Sequence, residues 1–349
     1  MIKLNKIFVC EFITGGGLCA EALPISLARE GALMRDALLR DLSTLAYQIY
    51  TTVDARLAPP AHCFCVTVQA NDDIWQLWQT HIAEADAVFL IAPETDGLLH
   101  YLTQIADLQG KLILGSGLDS IVSTSDKMAT YMALKLASIT TISTFTADDW
   151  INHEAYNKVN GGETSEDNGE DNGEEMAWLA KPNDGAGCEA TVYFNNAENL
   201  IDWLIQNKKH SSHIVQPFQV GTPASISCVM HQGRAQLLSC NKQLINVNNH
   251  IVRFNGVLVN GMREHWQALE KIANQVAKAI PGLAGYVGID VIVKNDKIYV
   301  LEINPRLTTS YSGLREATGT NPAELIINTL TQPEFNWPKL QQNIVNIHV

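Results

Sequence analysis

Two apolar segments near the carboxyl terminus constrain this chain more than any other feature. Tyr286 to Val293 and Ile298 to Ile303 both read as strands, and only Lys294-Asn295-Asp296-Lys297 separates them, which favours an antiparallel hairpin. The first carries Gly288-Ile289-Asp290 and the second runs into Glu302-Ile303-Asn304-Pro305-Arg306. Side chains alternate along a strand, so Glu302 and Asn304 share one face. Asp290 joins them only if the loop has an odd number of residues or a bulge intervenes, because a regular two-residue loop puts the two acids on opposite faces. The odd loop or the bulge is therefore expected. Val291, Val300 and Ile303 argue for burial rather than a solvated edge hairpin. Two inward carboxylates and an amide are costly without counter-charge. This oxygen set suits magnesium, with manganese as a substitute, and leaves positions for phosphate oxygens.

A lysine and glycines upstream fit the same site. Lys181 ends an apolar strand and opens Lys181-Pro182-Asn183-Asp184-Gly185-Ala186-Gly187-Cys188-Glu189. Glycines let backbone N–H groups close over phosphates, and lysine supplies a compact positive charge. The string alone equally suits an ordinary turn; its place ahead of the carboxylate hairpin favours a phosphate lid. Near the amino terminus, Thr14-Gly15-Gly16-Gly17 follows the strand Ile7 to Cys10, where open α/β sheets carry ligand loops. Without the spacing G-x-G-x-x-G it reads as either a tight turn or a phosphate cradle.

At ~150 residues per domain, 349 residues suggest two or three domains. Up to about residue 115, apolar runs (Ile7 to Cys10, Cys63 to Val68, Ala87 to Ile91, Lys111 to Leu114) alternate with helical stretches, one of them near Ala28 to Tyr50. This pattern predicts βαβ units and a parallel sheet. Beyond Ser125, an N-cap for a helix carrying Met128, Met132 and Leu136, strands dominate: Trp178 to Lys181, His213 to Phe218, Ser225 to His231 and Gln236 to Cys240 precede the hairpin, while Trp266 to Ala279 and Pro322 to Leu330 read as helices. The expected fold class is a parallel α/β domain at 1–115 followed by an α+β domain at 116–331, with a tail at 332–349. Residues 157–176 hold seven acids against one lysine and no aromatic residue, a composition expected of a mobile surface insert.

The net charge of −13, from 24 basic and 37 acidic residues, has the wrong sign for coating nucleic acid or an anionic membrane. No apolar run approaches the ~20 residues of a membrane span. Seven cysteines without a C-x-x-C pair fit a reducing cytoplasm. Cys63 and Cys65 share one strand face and read as core. His210 and His213 lack further metal ligands and read as a solvated helix end or loop, and Gly115-Ser116-Gly117 reads as a loop between domains.

In order and spacing, Ser125-Asp126-Lys127-Met128, Lys181 with its glycines, Gln216-Pro217-Phe218, Asp290 and Glu302 to Arg306 resemble the ATP-grasp superfamily over roughly residues 116–331. Glu11 to Gly17, Leu23-Pro24, Ser239 to Gln243 and Asn304 to Arg315 are similar to the tyramine–glutamate ligase family within it. The resemblance implies ATP and Mg2+ as cofactors, Lys127 and Lys181 on the nucleotide phosphates, and Gly185, Ala186 and Gly187 covering them. It further implies Gln216, Pro217 and Phe218 as the adenine-binding hinge, Leu301 as an apolar floor, and Asp290, Glu302 and Asn304 as metal ligands. Arg306 and Lys242 would stabilise the transferring phosphoryl group. Substrate contacts would fall at Glu11, Thr14, Gly15, Gly16, Thr308 and Thr309, with Phe12 or Tyr311 beside an aromatic amine. Gly221-Thr222-Pro223-Ala224-Ser225 lacks the acid that many of these enzymes direct at ribose, leaving Gln219, Ser225 or another segment for that contact. The implied activity is ATP-dependent joining of a small-molecule carboxylate to an amine, by a chain in a superfamily where homodimers are common.

Overall fold

The computed structural model describes residues 4–152, 176–185, 190–295, 297–332 and 334–349. The expected insert, apart from Met176, and Ala186 and Gly187 of the expected lid lie outside them.

The amino-terminal sheet consists of β1 (Lys6–Glu11), β2 (Gln48–Asp54), β3 (Phe64–Val68), β4 (Ala87–Ile91) and β5 (Leu112–Ile113), all parallel, in the order β3-β2-β1-β4-β5. Helices α1 (Ile25–Leu42), α2 (Ile74–Glu84) and α3 (Leu98–Leu108) cover it. Ile7 and Val9 pack with Met34 and Leu38 of α1, while Phe8 and Cys10 pack with Trp78, Ile82 and Leu102 of α2 and α3. Burial on both faces explains why β1 reads as a continuous apolar run. The helix expected to reach Tyr50 instead stops at Leu42, and Tyr50 lies in β2. Thr51, Thr52 and Val53 favour the extended chain once the turn at 43–47 has ended the helix.

The strand order reverses between β1 and β4, so the loops after these strands border the crevice where open α/β sheets bind ligands. Facing it is a second, antiparallel sheet: β6 (Phe145–Thr146), β7 (Trp178–Pro182), β8 (Val192–Phe194), β9 (His213–Pro217), β10 (Thr222–His231), β11 (Arg234–Asn248), β12 (Ile251–Val259), β13 (Gly285–Lys294) and β14 (Lys297–Asn304). Their order is β14-β13-β10-β11-β12-β8-β7-β9-β6, with β15 (Val345–His348) on β12. One pair, Ile251↔Val192, joins β12 to β8. This seam divides a small lobe, whose core includes Trp178, Leu200 and Val215, from a larger one built around Ile226, Val276 and Ile289. Further helices are α4 (Leu118–Ser125), α5 (Lys127–Leu136), α6 (Ala197–Gln206), α7 (Trp266–Ala279), α8 (Tyr311–Thr318) and α9 (Pro322–Thr331).

Three local expectations are corrected. Asp126 rather than Ser125 caps α5, accepting from Ala129 N at 2.7 Å, and Met132 and Leu136 face outward while Lys127, Thr130 and Leu134 are buried. The segment read as a tail contributes β15 to the sheet. His213 is buried at 5% exposure instead of solvated, with Nδ1 2.9 Å from Ser212 Oγ. At Gly285, φ is +65° and an added Cβ would come 2.9 Å from Gly115 Cα. This close approach lets the linker between the domains lie against the start of β13.

Candidate active site

The carboxylate hairpin forms by the bulge route. Pairing runs regularly from Lys294↔Lys297 to Val291↔Val300, then resumes as Asp290↔Glu302, Ile289↔Ile303 and Gly288↔Asn304. Leu301 is the extra residue, and its insertion turns Glu302 to the face of Asp290. Gln243 Nε2 donates to Asp290 Oδ1 at 2.8 Å, and Asn304 Nδ2 donates to Oδ2 at 3.3 Å. Burial first, and the neighbouring Glu302 second, push the Asp290 carboxyl well above the usual carboxylate range. Two acids so close cannot both stay ionised without a cation. Two carboxylates and an amide at one corner of a cavity therefore fit a hard divalent cation.

Cationic side chains converge on the same corner. Lys127 is 9% exposed, and its Nζ lies 3.9 Å from Glu302 Oε2 and donates to Gly185 O at 2.9 Å. Asn183 fixes the intervening loop: Nδ2 donates to Asp126 Oδ2 at 2.7 Å, and Oδ1 accepts from Met128 N at 3.0 Å. The loop after Lys181 is thereby bolted to the start of α5. Arg306 Nη2 donates to Glu94 Oε2 at 2.9 Å, with the two side chains 10% and 4% exposed. Glu94 follows β4, so the loop at the crevice meets the end of β14.

The cavity holds about 330 Å3. Of the expected residues, Lys181, Phe218, Leu301, Asp290, Glu302, Asn304, Arg306, Thr308 and Thr309 line it, as do the two ribose candidates Gln219 and Ser225. Leu179, Pro223 and Ile292 add apolar wall. Tyr286 Oη holds the 308–310 loop in place, lying 2.7 Å from Thr308 Oγ1 and 3.0 Å from Ser310 Oγ. An added Cβ on Gly288 would come 2.7 Å from Thr308 Cγ2, so glycine there admits this loop.

Other expected residues lie elsewhere. Gln216 is buried and donates from Nε2 to Thr144 Oγ1 at 2.9 Å, while Gln216 and Pro217 pair with Leu179 and Trp178. Lys242 is exposed: it stands between Asn241 and Gln243, whose side chains bond to Ser227 and Asp290, so alternation turns it to the opposite face. Glu11, Thr14, Gly15 and Gly16 are buried off the cavity. Glu11 Oε2 accepts from Thr14 N at 2.6 Å and from Thr14 Oγ1, closing a tight turn. The turn is filled by packing, since an added Cβ on Gly16 would lie 2.7 Å from Val68. Phe12 and Tyr311 are 4% and 0% exposed, so neither offers a ring to a ligand.

Spacing and motif assign no site role to Glu30 or Glu94, nor to Asn183 and Gln243 within the strings that contain them. Gln243 was within reach of strand alternation once Asn241 is taken as inward, and Glu94 lies at the loop position that the crevice rule singles out. Glu30 carries no local signal; it is one more polar position on α1.

Residues 124–310, more than half of the chain, match the ATP-grasp domain family, and residues 47–121 match the pre ATP-grasp 3 domain. Two proteins named tyramine–L-glutamate ligase, from Methanocaldococcus jannaschii and Methanocaldococcus fervens, are 29% and 28% identical over 72% of this chain. The matches take in 65% and 68% of their lengths, so the chain spans about two thirds of these relatives. The crystal structure of an ATP-grasp superfamily protein from Archaeoglobus fulgidus superposes with a TM-score of 0.69 at 23% identity, over 98% of this chain and 99% of that one. With the two-lobed sheet, the preceding parallel domain and the carboxylate hairpin between them, these matches establish that the chain belongs to the ATP-grasp family.

Proposed function

We propose that the protein is an ATP-dependent carboxylate–amine ligase that works in the cytoplasm and joins L-glutamate to tyramine, giving γ-glutamyltyramine, ADP and phosphate. The observation that carries this reading is the Asp290–Glu302 pair, brought into register by the Leu301 bulge in a cavity shared with Lys181 and Arg306. The names of the two relatives support the choice of substrates.

Asp290, Glu302 and Asn304 would hold magnesium, with manganese as a substitute. When bound, the ion supplies charge neutralisation for phosphoryl transfer. Phe218, Leu301, Leu179 and Ile292 form an apolar slot suited to the base, and Gln219 and Ser225 offer polar atoms for the ribose. Lys127 and Lys181 carry positive charge to the phosphates. The glutamate carboxylate takes the γ-phosphoryl group to form an acyl-phosphate, which the amine then attacks. Arg306 is held in place by Glu94, so it meets the charge developing on the transferring group without first reorganising.

The test is ADP release with MgATP and L-glutamate, with and without tyramine, and mass analysis of the product. Tyramine-stimulated release with a glutamyl-tyramine amide is the expected result. Asp290→Asn should lower turnover at least 100-fold with the far-ultraviolet circular dichroism spectrum unchanged. ADP release at background despite ATP binding would refute the substrate pair and favour a non-catalytic nucleotide-binding role, and undiminished turnover in Asp290→Asn would refute the metal site.

A further inference from the structure

The reactive corner of the cavity has an anion supplied by the other domain. Among the described residues, Glu30 of α1 is the one side chain of the amino-terminal domain that lines the cavity. Thr309 Oγ1 donates to its Oε1, while the described residues offer no hydrogen bond to Oε2 and no ion pair to the carboxylate. Arg306 pairs directly with Glu94, and its attraction to Glu30 is the weaker one, without a direct contact. Glu30 is thus a half-buried carboxylate, fixed by one oxygen and open at the other, an arrangement that favours a cationic ligand.

The wall on this side is apolar. Across β11 and β12, Ile245 pairs with Phe254 and Gln243 with Val257, and Gln243 in turn touches Asp290. Phe254 packs against a core cluster that includes Val257 and, from α1, Met34 and Leu38, and it lines the same cavity as Glu30.

Building on the ligase reading above, we propose that Glu30 binds the ammonium group of the incoming amine and accepts its first proton, while Ile245, Phe254 and Val257 receive an apolar or aromatic body. The acceptor is then a primary amine without a carboxylate beside its ammonium group, because such a carboxylate would face Glu30. One proton of the ammonium passes to Glu30 Oε2 and on to solvent. The neutral nitrogen attacks the acyl carbon, and the C–O bond to phosphate breaks as the C–N bond forms. Phosphate leaves with the bonding electron pair and takes the second proton from the adduct nitrogen.

Hydroxylamine, a nucleophile that is neutral near pH 7, separates this step from formation of the acyl-phosphate. With MgATP and L-glutamate, the wild type should give glutamyl-hydroxamate with hydroxylamine and the amide with tyramine. In Glu30→Gln, the amide-to-hydroxamate ratio at fixed acceptor concentrations should fall at least tenfold, through a raised KM for tyramine. Glu30→Asp, which keeps the charge, should recover part of that loss. An unchanged ratio in Glu30→Gln, or a parallel fall of both products in both variants, would overturn the role of Glu30. If the wild type gives neither product, the ligase reading itself fails.

Discussion

Neutralising Glu94 tests how the two domains build one site. Arg306 Nη2 and Glu94 Oε2 are 2.9 Å apart with both side chains buried, and two unit charges at that distance attract by about 6 kcal/mol at an effective dielectric of 20. Desolvation opposes this attraction. Arg306 Nε and Glu94 Oε1 have no hydrogen-bond partner among the described residues, so the pair makes one contact rather than a bidentate fork. Removing one member of a buried pair costs roughly 3–5 kcal/mol, and a single contact puts Glu94→Gln at the lower end, about 3 kcal/mol. For a chain of 349 residues, that lowers Tm by about 4 °C.

A double-mutant cycle with Arg306→Gln, read by thermal unfolding, isolates the pair from other effects of each change. Either single variant leaves a buried charge behind, whereas the double variant leaves none, so the coupling should reach about 2 kcal/mol. With MgATP and both substrates, Glu94→Gln should also lower kcat more than it weakens nucleotide binding, because Arg306 loses its anchor. Additivity within about 0.5 kcal/mol would refute the argument.

Two further changes read the local physics of each domain. Gly31→Ala on α1 would gain about 1 kcal/mol from helix propensity alone, but its Cβ would lie 2.7 Å from Glu11 Oε1; we expect a net loss of about 1–2 kcal/mol in urea unfolding, and stabilisation would show that the turn at Glu11 can yield. His213 is pushed down to about 4 by burial, below its unfolded value near 6.5, so its contribution is intact above pH 6.5 and is lost as pH falls through 4. Between pH 7 and pH 5 the wild type should lose roughly 2 kcal/mol that His213→Gln does not, and equal slopes for the two proteins would place the acid sensitivity elsewhere.

The carboxylate hairpin was legible because it depends on short-range rules. Strand alternation requires Asp290 and Glu302 to be brought onto one face by an odd loop or a bulge, and the structure inserts Leu301. Alternation was less visible in β12, where Val252 and Phe254 turn inward but Gly256, at φ +139°, breaks the period before Val257. Lys242 shows where local reading fails. Its charge suits phosphate, yet its direction follows from the register of β11 against β10, where Asn241 opposite Ser225 fixes Gln243 as the inward residue.

Glu30 and Glu94 lie beyond any rule of that range. One sits on a helix and the other in a loop, 279 and 212 residues from their partners Thr309 and Arg306, and neither has a spacing that marks it. Their roles arise when the parallel sheet docks its switch-point edge against the end of β14. Local pattern therefore specifies the residues on the grasp strands, where hydrogen-bonded neighbours set the direction of each side chain. Glu94, which steadies Arg306, and Glu30, which reaches the cavity, come from the other domain, and their partners follow from how the two domains dock.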